Sequence, residues 1–377
     1  MSDHQARYLP ALTAMRGIAA IWVMLFHIDV SLFYRDLGPL IPHEATGLIT
    51  GGYMWVDFFF ILSGFVITHV YAGHFADGLR MGEAWRYLRA RFFRIYPLHL
   101  FTLLLLIVFW QFMEGFQASN LDASMKTYFD PAALPSNFLL TNAMNQYVFL
   151  SWNIVSWSIG AEWWTYFIAI LILFVAMRRF AAELLVLGGF VGVCLLVQLH
   201  PEGKLDLTYN YGFYRCLFEF AMGVGIYKLY QRGVGKALMA TDSFMMLMVA
   251  AVVAAFHFDL NDLLMPPLFA LMVMAAAYNR SGFERVMKGR MLQYLGKISY
   301  SIYLMHGVWF MVFWTYLPTF KNAGGFADLP PLYAFAYAGL FIGVSIVSAA
   351  FTYRFVEVPG RVLFRRRPRA VAQTEKA

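Results

Sequence analysis

Three observations predict an all-α, polytopic membrane protein of about ten transmembrane helices. Of 377 residues, 60% are hydrophobic and only 14% charged, against about 25% charged in an ordinary soluble domain. The apolar residues fall in runs of roughly 20, the length that crosses about 30 Å of hydrocarbon at 1.5 Å per residue. The basic residues also divide unequally between alternate connections, as cytoplasmic and external loops do.

Hydropathy and punctuation place the spans near 12–33, 47–72, 95–114, 151–177, 183–199, 211–231, 241–258, 263–279, 295–316 and 332–355. The first follows only Met1 to Ala11 and contains Arg16 and His27. Those two polar residues interrupt the apolar centre a secretory signal needs and no small-residue cleavage site follows, so the segment is expected to stay in the mature protein. The second carries Asp57, and Arg80 to Arg94 lead into the third. Between the third and fourth, Gly115 to Leu150 is polar, with Asp122, Asp130, Pro131, Pro135 and several asparagines. It is too long for a simple connector and is expected to cap an external opening. The fifth span is short, and Asp259, Asn261, Asp262 and Pro266-Pro267 separate the seventh from the eighth. A single membrane domain over 1–377 is expected, its core about 12–359, followed by a basic cytoplasmic tail at 360–377.

Ten spans put both termini on one side. On that side lie Arg7, Arg16, Arg80 to Arg94, Arg178/Arg179, Lys228 to Lys236, Arg280 to Lys297 and the tail from Arg354, 24 of the 29 bases. Only Arg35, Lys126, Lys204, Arg215 and Lys321 lie opposite. The division makes both termini cytoplasmic. It also explains the net charge of +7 without a nucleic-acid partner, because the bases sit in short clusters between spans rather than on one soluble face. Cys194 and Cys216 fall within apolar spans, so neither a disulfide framework nor a zinc site is expected.

Charged groups near the bilayer centre cost at least ~3 kcal/mol each and need a partner, a cavity or a function. Arg16 and His27 are eleven residues apart, about three turns and some 16 Å along one helix face. Arg16 reads as an interfacial anchor or as a cation at the cytoplasmic entrance. His27 reads as a packing histidine or as an imidazole that takes a proton from a hydroxyl and returns it. Asp57 would orient that imidazole or pair with an arginine. Ser63 and Gly64 suit close helix packing. Arg91 and Arg94, three apart, share a helix face at the cytoplasmic mouth, where guanidinium groups suit the phosphates of a nucleotide-bearing ligand. Glu162 and Tyr166, and again Tyr303 and His306, are neighbours across one helical turn, positions from which they line one shared cavity or pack.

Six strings in order then resemble the acyltransferase 3 family of membrane-bound O-acyltransferases. They are Arg16, ten residues and His27; the Gly-x-x-x-Val-Asp57-x-Phe-Phe-x-Leu-Ser63-Gly64-Phe65 string; Arg91-x-x-Arg94-Ile-Tyr96-Pro97; Trp157-Ser158 to Glu162; Ser299-Tyr300-Ser301 to His306; and Glu357-Val-Pro359. The resemblance runs from Leu12 to Pro359 and implies a multi-pass protein of the inner (cytoplasmic) membrane, bathed in membrane lipid. It implies cytoplasmic acyl-CoA, most often acetyl-CoA, as donor, no metal, and a hydroxyl of a glycan, lipid-linked sugar or similar molecule as acceptor. Some members carry a C-terminal SGNH-type hydrolase domain. This chain ends at Ala377 and resembles the stand-alone members, which acylate the acceptor directly or hand the acyl group to a separate partner transferase.

On that reading Arg91 and Arg94 hold CoA phosphates with Arg16 near the thioester, and His27 is the general base or a covalent acyl carrier. Asp57 or Glu162 sets the imidazole tautomer, and Tyr166, Tyr303 and His306 meet the substrate. The rival class is a secondary transporter or proton-coupled channel using the intramembrane Arg, His, Asp and Glu groups. The absence of an internal repeat and of Gly/Pro-broken helices in matching halves counts against it.

Overall fold

A computed structural model describes residues 8–75, 78, 80–117, 123–176, 180–201 and 203–365. Arg7, the Arg178/Arg179 pair and the tail beyond residue 365 lie outside the described residues. Helices form the whole regular structure, with no strand among the described residues. The ten longest are α1 (Pro10–Phe33), α2 (Trp55–Tyr71), α3 (Met81–Gln117), α4 (Trp157–Val175), α5 (Ala181–Val197), α6 (Gly212–Gln231), α7 (Asp242–His257), α8 (Met265–Tyr278), α9 (Arg290–Gly324) and α10 (Pro331–Thr352). Each covers most of one apolar run read from the sequence. Five helical stretches are long and apolar enough to cross a membrane: Pro10–Phe33, Thr50–Tyr71, Met81–Gly115, Ile154–Val175 and Pro331–Leu363. Helices α5, α7 and α8 are apolar but shorter, while α6 and α9 carry charged residues, Arg215 and Glu219 in one and Lys297 in the other.

Two glycine crossings set the core. A side chain on Gly17 of α1 would strike the backbone of Leu295 and Gly296 of α9 at 2.7–2.8 Å, and one on Gly296 would strike the Thr13 carbonyl. Gly64 of α2 meets Gly223 of α6 in the same way, as expected of small residues at membrane-helix interfaces. With α1 and α9 in backbone contact, the polar residues further along both helices are forced together.

The other fixed point is electrostatic. Asp57 of α2 receives both arms of Arg215 of α6, Nε to Oδ1 and Nη2 to Oδ2, each at 2.7 Å. Both side chains are fully buried. Arg215 also donates to the Leu207 carbonyl at 3.1 Å, and its guanidinium lies 5.6 Å from the Trp157 ring centre. Arg215, expected among the bases opposite the termini, is therefore an interior residue, satisfied by a carboxylate, a carbonyl and a ring.

From residue 123 on, the segment between α3 and α4 is folded rather than loose. It contains short helices at Ala123–Tyr128 and Leu134–Phe138, and its Asn137 and Phe138 carbonyls accept from His99 (2.8 Å) and Tyr96 (3.2 Å) of α3. Beyond α10, a π-type turn (Tyr353–Glu357) leads into a short helix, Val358–Arg365. Gly360 of that helix lies against Pro97 of α3, where the proline interrupts the helix ladder. That contact brings Glu357 alongside Arg94.

Removing one partner of a buried ion pair leaves an uncompensated charge and costs about 3–5 kcal/mol, whereas an apolar pair of similar volume is often neutral. Asp57→Leu alone is therefore expected to lower the melting temperature of detergent-purified protein sharply, and Asp57→Leu with Arg215→Met to recover most of the loss. Differential scanning fluorimetry checks both.

Candidate active site

Helix α1 carries Arg16 and His27 into two different cavities. Arg16 lines one of about 140 Å³, and His27 lines one of about 780 Å³. Val56 of α2 and Tyr303 of α9 line both, so a wall one side chain thick separates them there.

The Arg16 cavity gathers cations. Arg16 forms no hydrogen bond or ion pair among the described residues, while Arg91 and Arg94 enter from α3. Arg91 donates to the Tyr71 hydroxyl at 3.0 Å and lies 5.2 Å from that ring's centre. Arg94 pairs with Glu357 and stands 5.2 Å from the centre of the Tyr300 ring. Glu357 also accepts from Ser301 at 2.6 Å and pairs with Arg361. Glu162 and Tyr166 of α4 complete the polar lining, and Ser63 donates to Glu162 with the Tyr166 hydroxyl 3.4 Å away. Three guanidinium groups thus line one space among apolar side chains, and guanidinium groups are in general suited to anions.

The His27 cavity is larger and mixed. His27 Nδ1 lies 2.9 Å from the Val23 carbonyl one turn back. A carbonyl only accepts, so Nδ1 carries the hydrogen and Nε2 keeps its lone pair. The ring of His306 on α9 stands 4.9 Å away, centre to centre, with its own Nδ1 3.1 Å from the Ile302 carbonyl. Around His27 the cavity presents Tyr53, Trp157, Phe310 and Trp314 together with Asp29 and Asp206. Asp29 holds the Leu40 amide at 2.7 Å and His43 at 2.8 Å, which fixes the chain beyond α1. Asp206, in the connection between α5 and α6, is exposed and lines the same cavity. Ser124, Tyr128, Leu150 and Ile154 of the α3–α4 segment also line this cavity.

The structure corrects three expectations and decides between two alternatives for a fourth residue. Asp57, expected to orient the imidazole or to pair with an arginine, takes the second course and pairs with Arg215, because an interior arginine outcompetes a neutral imidazole for a carboxylate. Glu162 does not orient His27 either: it faces the Arg16 cavity and accepts from Ser63, and the imidazole is oriented by the Val23 carbonyl of its own helix. Tyr166, Tyr303 and His306 do not share one cavity. Tyr166 lines the Arg16 side, Tyr303 lines both, and His306 is fully buried behind His27. Ser63 does more than pack, while Gly64 packs as its size suggests. Asp29, Arg215 and Glu219 were legible as charges inside apolar runs but were not read as interior residues.

The model of the acyltransferase 3 family, described as an acyltransferase domain, matches residues 9–350. The chain belongs to this family. Acyltransferase MdmB of Streptomyces mycarofaciens is 25% identical to it over 97% of this chain and 95% of that protein. Peptidoglycan O-acetyltransferase OatA of Listeria monocytogenes is 20% identical over 95% of this chain and 56% of that protein. O-acetyltransferase OatA of Staphylococcus aureus is 21% identical over 95% and 58%. No solved structure matches. This acyltransferase 3 protein is a membrane protein and an O-acyltransferase, transferring an acyl group to a hydroxyl. No cluster of metal-ligating residues occurs among the described residues of this acyltransferase.

Because His27 opens onto a cavity and His306 is fully buried, diethyl pyrocarbonate is expected to modify His27 well before His306. Peptide mass spectrometry over a time course reads the order.

Proposed function

We propose that this acyltransferase takes an acyl group, acetyl first, from cytoplasmic acyl-CoA and passes it to a hydroxyl of a glycan, lipid-linked sugar or related acceptor. The observation that carries the reading is the pair of cavities that meet at Val56 and Tyr303, one holding an unpaired arginine and the other a histidine with a free lone pair. Ten spans with both termini cytoplasmic would open the Arg16 cavity toward the cytoplasm, where acyl-CoA is found, and the His27 cavity toward the opposite side. Residues 12–359 then form the catalytic unit and 360–377 a basic cytoplasmic tail, in the inner membrane of the cell.

In this mechanism Arg91 and Arg94 bind CoA phosphates, with Glu357 and Tyr71 holding their guanidinium groups in place. Arg16, uncommitted to any carboxylate, attracts the anionic donor deeper in the cavity. His27 Nε2 takes the proton of the acceptor hydroxyl as its oxygen attacks the thioester carbonyl. The C–O bond forms, the C–S bond breaks, and the imidazolium returns the proton to the departing thiolate. The Val23 carbonyl keeps Nδ1 protonated throughout, so the same nitrogen, Nε2, accepts and returns the proton. The aromatic and carboxylate lining of the larger cavity suits a polyhydroxylated acceptor, whose apolar faces stack on rings and whose hydroxyls need acceptors. The O-acetyltransferase activity carried in the names of two relatives supports acetyl as the transferred group.

Replacing His27 with Ala is expected to lower transfer of label from acetyl-CoA by at least about a hundredfold, the scale of general-base catalysis, with an unchanged yield and melting temperature. Normal transfer by a folded His27→Ala protein would remove the residue from the chemistry. Glu357→Gln, which loosens Arg94, is expected to raise KM for the donor more than it lowers kcat, as steady-state kinetics at saturating acceptor will show.

A further inference from the structure

Bond formation requires the attacking oxygen and the thioester carbonyl to come within about 3–3.5 Å of one another. In the structure the cation-lined space and the His27 space are separated where Val56 and Tyr303 line both. We infer that Val56 and Tyr303 form an acyl gate between donor and acceptor, and that the size of the side chain at position 56 sets the length of the acyl group transferred. The inference rests on the acyl-CoA reading above and adds to it the residues that choose among donors.

The two leaves of the gate differ in their freedom. Val56 is immobilised by its neighbours in the chain. Asp57 is held by both arms of Arg215, and Trp55 is stacked on Phe256 at 5.8 Å and against Phe269 at 5.1 Å. A β-branched side chain on so fixed a backbone has little rotameric freedom, so it acts as the rigid edge of the opening. Tyr303 is held by a single hydroxyl contact, 2.7 Å to Ser158 Oγ, and by edge contacts with Phe59 and His306. Turning that ring breaks one hydrogen bond and shifts two edge contacts, whereas moving Val56 requires disrupting a buried ion pair.

The consequence is a size filter at one residue. A thioester end that reaches His27 passes the rigid Val56 edge, and each added methylene must fit the same opening. One methylene in an apolar site changes specificity by about 10–200-fold. Removing two methyl groups at position 56 widens the opening, and adding one narrows it.

The experiment measures kcat/KM for acetyl-, propionyl- and butyryl-CoA with purified wild-type, Val56→Ala and Val56→Ile proteins and one acceptor. Val56→Ala is expected to raise the butyryl-to-acetyl ratio about tenfold, and Val56→Ile to lower the propionyl-to-acetyl ratio about tenfold. A purely structural role for Val56 would lower all three donors together and leave both ratios where they were. Ratios within about twofold of wild type in the folded variants overturn the gate. If Val56→Ala fails to purify as a monodisperse species, Val56→Ile decides alone. A wild-type protein that accepts an acyl group from none of the three overturns the donor reading itself, and the gate with it.

Discussion

Charge buried in an apolar interior has to be neutralised by a partner or opened to a cavity, and the organisation of this protein follows from which charges take which course. Asp57 and Arg215 take the first. Their paired hydrogen bonds join α2 to α6 through the middle of the protein and fix the backbone on either side of Asp57. Arg16 takes the second: among the described residues it forms no hydrogen bond or ion pair, and it faces a space bounded by Arg91 and Arg94. A paired charge joins helices, and an unpaired one is left facing a cavity. The same helix bundle needs both, since the unpaired arginine keeps its position only because its surroundings are held elsewhere.

The approach of α1 to α9 makes the second half of the arrangement possible. With glycines at 17 and 296 the two backbones touch, and His27 and His306 then come together further along the same pair of helices. A larger residue at either glycine would part the helices and separate the two imidazoles. The juxtaposition of the two imidazoles is in this sense a packing result, set by two residues that carry no functional group.

Helix positions were legible because membrane helices announce themselves by length and hydropathy, and each apolar run holds a helix. Arg16, His27, Arg91 and Arg94 were legible because polar residues in or beside such runs are expensive. Partnerships were not, because they depend on how helices rotate and cross. Asp57 sits near His27 in a one-dimensional reading and yet faces Arg215, 158 residues away. Glu162 looked like a second carboxylate for the imidazole, but the rotation of α4 turns it toward Ser63. The two spaces are separated where Val56 and Tyr303 line both, and nothing in either residue's local sequence signals it.

Glu357 has a consequence in time as well as in space. It is the residue that holds Arg94, and it lies 263 positions further along the chain. At translation rates of about 5–20 residues per second, that arginine waits on the order of tens of seconds for its carboxylate after leaving the ribosome. The Arg94–Glu357 pair is therefore among the last features of the molecule to be finished, although its arginine belongs to the third helix. A nascent chain halted before the final turn would hold a nearly complete set of helices and an Arg94 still waiting for that carboxylate.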